Sequence, residues 1–197
     1  EDMANGCTDQ DTIMIIQNAD VPVIDIADPM AEITCANDTV TLLATVNNAT
    51  AFDVEWTELN GGQIVTSTLN SLTPKVIAAG AFELTVTNTE NGCESNASVT
   101  VTENTTPPVA EAGDDVAITC DSSSVVLNGS ASSSGDNIIY SWTFGANQIS
   151  TDTTATADQP GTYFLAVLDQ SNGCSAIDSV IVTTDTNIPV VSIGTPD

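Results

Sequence analysis

The chain has 197 residues, with 27 acidic side chains against a single basic one, Lys75, no histidine and a formal net charge of −26. That balance excludes a nucleic-acid surface, which needs Lys and Arg to neutralise phosphate, and it argues against anionic membranes. With 41% hydrophobic residues the chain still carries enough apolar side chain to fold, and no apolar run approaches the roughly 20 residues of a membrane helix.

The first signal along the chain is an Asn-Gly-Cys stretch, "EDMANGCTDQDTIMIIQNADVPV" (1–23). Alternating "PVIDIAD" follows, then "EITC" ending at Cys35, and "VEWTE" around Trp56. Turn residues "NGG" (60–62) and the long polar stretch 60–74 precede "ELTVTNT", a second NGC turn ending at Cys93, and "SVTVT". The order then repeats. "PVAEAGD" leads to "AITC" at Cys120, "VVLNGSA", the turn "SSSGDN" (132–137), "YSWTF" around Trp142, "QPG" (159–161), "FLAVLD", a third NGC turn at Cys174, "DSVIVTT" and "PVVSIGT". These segments alternate at period two and are rich in Val, Ile and Thr, which suit a half-buried pleated strand. None has a helical period. A Trp on a central strand is read as a core anchor; a sugar-stacking platform would require it to be exposed.

The cysteines of the NGC turns lie 86 and 81 residues apart, and those of the ITC motifs 85 apart, so the repeat is 81–86 residues long. Repeats decide the fold before any single element does. The reading is all-β: tandem immunoglobulin-like β-sandwich domains in a linear array, each of about seven strands. Residues 1–19 are expected to be C-terminal strands of a preceding repeat, 20–105 and 106–187 two full repeats, and 188–197 the first strand of a following one. The linkers "TENTTPP" (102–108) and "TTDTNIP" (183–189) place Pro beside Thr and Asn, which favours an extended, semi-rigid connection.

Two stretches carry a family resemblance. "IIYSWTFGANQ" (138–148) resembles the PKD signature YxWxFGDG, and "QPGTYFLAVLDQSNGCSAIDSVIVT" (159–183) is similar to its PGxYxVxLxVxDxxGC close. The first full repeat keeps "VEWTE" and "AAGAFELTVTNTENGCESNASVTVT" (78–102) but has no FGDG turn, and "FGAN" (144–147) departs from it as well. Tandem PKD-like copies with an NGC turn and acidic, Thr-rich strands resemble the repeat regions of Bacteroidota cell-surface adhesins and surface filaments. The resemblance implies extracellular display and structural or adhesive work. It also implies O-glycosylation at Asp-Ser/Thr motifs, here at Thr12, Thr39, Thr153 and Ser179.

An extracellular array can oxidise its cysteines. Pairing within repeats would join Cys35 to Cys93 and Cys120 to Cys174. In an immunoglobulin-like sandwich, however, the turn after the first strand and the turn between the last two lie at opposite ends. They are separated by a strand of about eight residues, roughly 25 Å, whereas a disulfide needs Cα atoms within about 7 Å. That geometry favours an inter-repeat bond, Cys35–Cys174, with the partners of Cys7, Cys93 and Cys120 outside this sequence. Intra-repeat bonds, free thiols and metal-bound thiols remain open.

Carboxylates cluster near two repeat junctions, Asp20, Asp25 and Asp28 where the first full repeat begins and Glu103, Glu111, Asp114 and Asp115 where the second does. Hard oxygen ligands suit Ca²⁺, so calcium is the one cofactor considered, against a plain solvated surface. No Dx[DN]x[DN]G loop is present. Catalysis has little material: no His, a lone Lys, and 4% aromatic residues with which to line a cleft. A non-enzymatic role follows. The expected function is a structural module of a long surface fibre or adhesin stalk, partnered by other repeats and by self-association. The competing reading is recognition of a glycan or protein through loops that differ between repeats, 60–74 against 145–159.

Overall fold

The computed structural model describes residues 3–5, 7–27 and 32–185. Among these residues seventeen strands follow in chain order. The first nine are β1 (Val23–Ala27), β2 (Ile33–Thr34), β3 (Val40–Thr41), β4 (Leu43–Asn47), β5 (Phe52–Leu59), β6 (Gln63–Ile64), β7 (Lys75–Ala78), β8 (Gly80–Asn88) and β9 (Glu94–Val101). The remainder are β10 (Glu103–Asn104), β11 (Val116–Thr119), β12 (Val125–Asn128), β13 (Ile138–Phe144), β14 (Asn147–Ser150), β15 (Thr154–Ala157), β16 (Gly161–Asp169) and β17 (Ser175–Asp185). One 3₁₀ turn, Thr66–Thr68, interrupts the polar loop after β6.

The chain forms two compact units, residues 1–30 with 40–101, and residues 31–39 with 102–197. This division departs from the repeat boundaries at two places. Residues 31–39 fall inside the first sequence repeat but belong to the second unit, and so do 102–105. The cause is local pairing: β2 runs parallel to β10 (Ile33 opposite Glu103, Thr34 opposite Asn104), and Ile33 N–H donates to Thr102 O.

In the first unit β5, β8 and β9 form an antiparallel sheet, β3, β7 and β6 a second, and β1 pairs with β4. Strand β8 shows why the sequence alternates. Phe82, Leu84 and Val86 are fully buried, Trp56 lies opposite Leu84, and Leu42, Ile64 of β6 and Val76 of β7 are buried as well. Each such side chain stabilises the fold by about 1.5–3 kcal/mol.

The second unit repeats the plan. Its main sheet has the order β11-β17-β16-β13-β14, with β11 parallel to β17, and β12 pairs with β15. Tyr163, Leu165 and Val167 of β16 are buried, with Trp142 opposite Leu165, and Leu127, Ala155 and Ala157 come from β12 and β15. Both tryptophans are core anchors, Trp56 at 3% and Trp142 at 0% exposure, so neither is a sugar platform.

Residues 1–19 are expected to be C-terminal strands of a preceding repeat, yet the described residues among them carry no strand, and Ile13 to Ile16 are more than four-fifths exposed. The matching stretches are β9 and β17, each held by the antiparallel strand before it. Residues 8–17 have no such neighbour among the described residues, and an unpaired strand leaves its backbone groups unmatched. The segment 188–197 lies outside the described residues.

Candidate functional site

The NGC stretch is a tight turn between the last two long strands of each unit, β8 to β9 and β16 to β17. Asparagine makes it. Its Oδ1 accepts the cysteine backbone N–H at 2.9 Å in Asn91/Cys93, 2.8 Å in Asn172/Cys174 and 2.9 Å in Asn5/Cys7. Glycine follows because the next residue takes a left-handed backbone, φ +73° at Gly92 and +71° at Gly173. The backbone then returns: Asn88 N–H donates to Cys93 O, and Asp169 N–H to Cys174 O.

The asparagine amide holds a second strand of chain. Asn172 Nδ2 donates to Asn104 Oδ1 and to Thr106 O, each at 3.0 Å. Asn91 Nδ2 does the same to Asn18 Oδ1 at 3.0 Å and Asp20 O at 2.9 Å. Asn18 and Asp20 precede Pro22 by the same spacing that Asn104 and Thr106 precede Pro108. The turn therefore grips the extended Pro-containing segment that leads into its own unit. Sequence reasoning read these asparagines as turn residues only; the Asn four residues before both Pro22 and Pro108 was the available signal.

In the second unit the grip is closed covalently. Cys35 Sγ and Cys174 Sγ are bonded at 2.00 Å with Cα atoms 5.0 Å apart. Cys35 follows β2, and its neighbour Ala36 donates its N–H to Asn172 O at 3.2 Å. Asn172 and Cys174 are buried as a result, at 2% and 1% exposure. The alternative pairings of Cys35 with Cys93 and of Cys120 with Cys174 are absent. Cys7, Cys93 and Cys120 carry free thiols.

Other predicted sites remain dispersed. Asp25 projects outward from β1, and Asp28 lies outside the described residues. Glu111, Asp114 and Asp115 are exposed; Asp115 Oδ1 is engaged by Ile181 N–H at 2.8 Å. Glu111 and Asp114 border an open cavity of about 520 Å³ with Asn128 and Ser130. Among the described residues no three His, Cys, Asp or Glu side chains converge as a metal centre would require. Thr12, Thr39 and Ser179 are exposed and Thr153 half-buried. One carboxyl is electrostatically distinct. The Ser171 hydroxyl and N–H both donate to Asp169 and hold its carboxyl below the usual range.

The strand pairing defines the class: immunoglobulin-like, PKD-like β-sandwich units. No family model matches the chain. The human dyslexia-associated protein KIAA0319 is 31% identical over 166 residues, covering 72% of this chain; the chain spans only 15% of that relative's length. The PKD domain from the KIAA 1837 protein is 28% identical with a TM-score of 0.33, over 46% of this chain and 98% of that domain. Three N-terminal domains of the bacteriophage RB49 highly immunogenic outer capsid protein give 19% identity and a TM-score of 0.44, over 84% of this chain and 59% of theirs. The fold assignment rests on the pairings above. No helix among the described residues is long and apolar enough to cross a membrane.

Proposed function

We propose that this chain is a non-enzymatic structural module of an extracellular surface protein, a stalk or fibre built from PKD-like repeats. One observation carries the reading. The Cys35–Cys174 bond joins residues that belong to successive sequence repeats, beside an asparagine that fixes the segment Asn104–Thr106 connecting them. Both cysteines lie in the second unit, and the bond, spanning 139 residues of sequence, ties into it the segment that the first sequence repeat contributes. An oxidised thiol pair fits an oxidising compartment, and a net charge of −26 keeps long assemblies soluble and apart. A Bacteroidota surface filament is the setting that the NGC and PKD-like motifs suggest, with the same repeats and further copies of the chain as partners.

Electron microscopy of the native particle tests this. Thin rods with an axial period of one repeat are expected. Compact particles, together with saturable glycan binding by the isolated chain, would replace the structural reading with recognition through loops 60–74 and 145–159.

A further inference from the structure

Asn-Gly pairs recur along the chain: Asn5–Gly6, Asn60–Gly61, Asn91–Gly92, Asn128–Gly129 and Asn172–Gly173. Such a pair is chemically labile. Asparagine is a thermolabile side chain, and a glycine after it has no Cβ to hinder attack by its own backbone nitrogen on the amide carbon. Gly6 lies outside the described residues. The other pairs differ in what holds them.

Three are held at both reacting groups. At Asn172 the amide donates to Asn104 and Thr106, Oδ1 accepts Cys174 N–H, and Gly173 N–H donates to Asp169 O at 2.7 Å. Asn91 is fixed alike by Asn18, Asp20 and Cys93, with Gly92 N–H on Asn88 O at 2.8 Å. Asn128 Oδ1 accepts Ser130 N–H at 3.0 Å, and Gly129 N–H donates to Thr153 O at 2.8 Å.

Asn60 is held at neither. It lies exposed in the tight turn between β5 and β6, with φ +50° at Asn60 and +87° at Gly61. Gly62 N–H closes that turn on Leu59 O at 3.2 Å. Among the described residues neither Gly61 N–H nor the Asn60 side chain has a hydrogen-bond partner. A Cβ at Gly61 would meet no atom within 4 Å, so the reacting groups stand open to water.

We infer that Asn60–Gly61 is a self-modification site of the folded chain, converted to aspartate and isoaspartate, and that the asparagine grip protects the NGC turns from the same reaction. The Gly61 backbone nitrogen, its proton lost to solvent base, attacks Asn60 Cγ. An N–C bond forms, the Cγ–Nδ2 bond breaks, and the amide nitrogen leaves as ammonia. Water then opens the cyclic imide at one carbonyl or the other, giving aspartate or isoaspartate. One water is consumed and one ammonia released, with no change of oxidation state.

The product alters a tight corner. In isoaspartate the main chain runs through Cβ, so the turn gains a carbon just before Gly62. Gly62 has no slack: a Cβ there would lie 2.5 Å from Phe82 Cζ, and one at Gly80 would collide with Gly62 N. The lengthened turn therefore lifts Gly62 from the Phe82 ring and loosens the first unit. The inference holds whether or not the protein forms a stalk on a cell.

The test uses the full oxidised chain, incubated folded at mildly alkaline pH. Peptide mapping by mass spectrometry scores amide loss at each pair, and an isoaspartyl methyltransferase labels isoaspartate. Asn60 is expected to convert at least about tenfold faster than Asn91 and Asn172, whose hydrogen bonds must open first. In urea the rates converge. Asn18→Ala removes one bond from Asn91 and is expected to speed conversion there about fivefold, leaving Asn60 unchanged. Chains carrying isoaspartate at position 60 unfold at lower urea when followed through Trp56. A folded-state rate at Asn60 no faster than at Asn91 or Asn172, an Asn91 rate unmoved by Asn18→Ala, or an unmoved Trp56 transition in the converted chain overturns the proposal.

Discussion

Tyr163 and Phe82 occupy the same place near the start of the central strand in each unit, and they are held by opposite means. The Tyr163 hydroxyl donates to Gln159 O at 2.9 Å, tying the strand to the corner before it, and its ring stacks on Phe144 with centroids 4.5 Å apart. Phe82 has no hydroxyl, and its ring presses on Gly62, where a Cβ would lie 2.5 Å from Cζ. Glu58 stands where Phe144 stands, and its carboxylate accepts Ile64 N–H across the hairpin instead of stacking. The tryptophans diverge likewise. Trp56 Nε1 donates to Ser71 O at 2.9 Å, whereas buried Trp142 Nε1 has no partner among the described residues. One pleated pattern of apolar residues thus tolerates two sets of polar ties. The core positions specify the sandwich; the ties at its corners are exchangeable.

Four experiments sharpen that contrast. The largest effect belongs to the disulfide, which closes a loop across a separation of 139 residues. The chain-entropy relation gives about 5 kcal/mol for a loop of that length. Reduction should shift urea unfolding of the second unit, followed through Trp142, more than that of the first, followed through Trp56. Equal shifts would mean that the bond does not act chiefly through the unit in which it lies.

Asparagine deletion comes next. Asn172→Ala removes two donors and an acceptor from a buried site and strands the Cys174 N–H, at a cost of about 2–3 kcal/mol. Asn91→Ala removes the same three bonds from a more exposed turn and should cost about 1 kcal/mol. Denaturation midpoints of the two variants give the comparison directly.

Exchanging the corner residues should harm both units. Tyr163→Phe loses one hydrogen bond, about 1 kcal/mol. Phe82→Tyr forces a hydroxyl outward from a ring already against Gly62, so overpacking of about 1 kcal/mol or more is expected. A neutral Phe82→Tyr would show that the first unit has room the packing does not reveal.

The smallest effect is on titration. Asp169 occupies the position of Asn88, so only the second unit has an ionisable group at that point of the turn. Its carboxyl is held below the usual range by Ser171. A depressed folded-state value means stability that is present above the unfolded value and lost as pH falls through the folded one, in a window below about pH 4. NMR titration of Ser171→Ala should move the Asp169 midpoint upward; an unmoved midpoint would place the cause elsewhere.

Much of this architecture could be read from residues alone. Strands β8, β9, β16 and β17 alternate cleanly because one face is buried and the other wet, and their Asn-Gly turns are explicit. The two tryptophans, each opposite a leucine, mark matching central strands. The short parallel pairs β2–β10 and β11–β17 were harder to see, since two to four residues give no periodicity and pairing depends on a partner some 66 to 70 residues away. That hidden pairing is why residues 31–39 leave the first repeat for the second unit. The amide grip of Asn91 and Asn172 was equally obscured, because an asparagine before glycine is already explained by the turn it makes.

Covalent topology adds a mechanical consequence. Pulled from its two ends, the oxidised chain transmits force from Cys35 through sulfur directly to Cys174. Everything between, including the Trp56-centred core, is bypassed by the applied load, whereas β17 carries Val180 and Val182 of the Trp142-centred core. Only the segments outside the bond can be drawn out: residues 1–34, with β1, and residues 175–197, with β17. Reduction would release a further length of roughly 480 Å at about 3.5 Å per residue across the 139-residue separation. The bond makes the chain, under tension, a short tether carrying a folded loop.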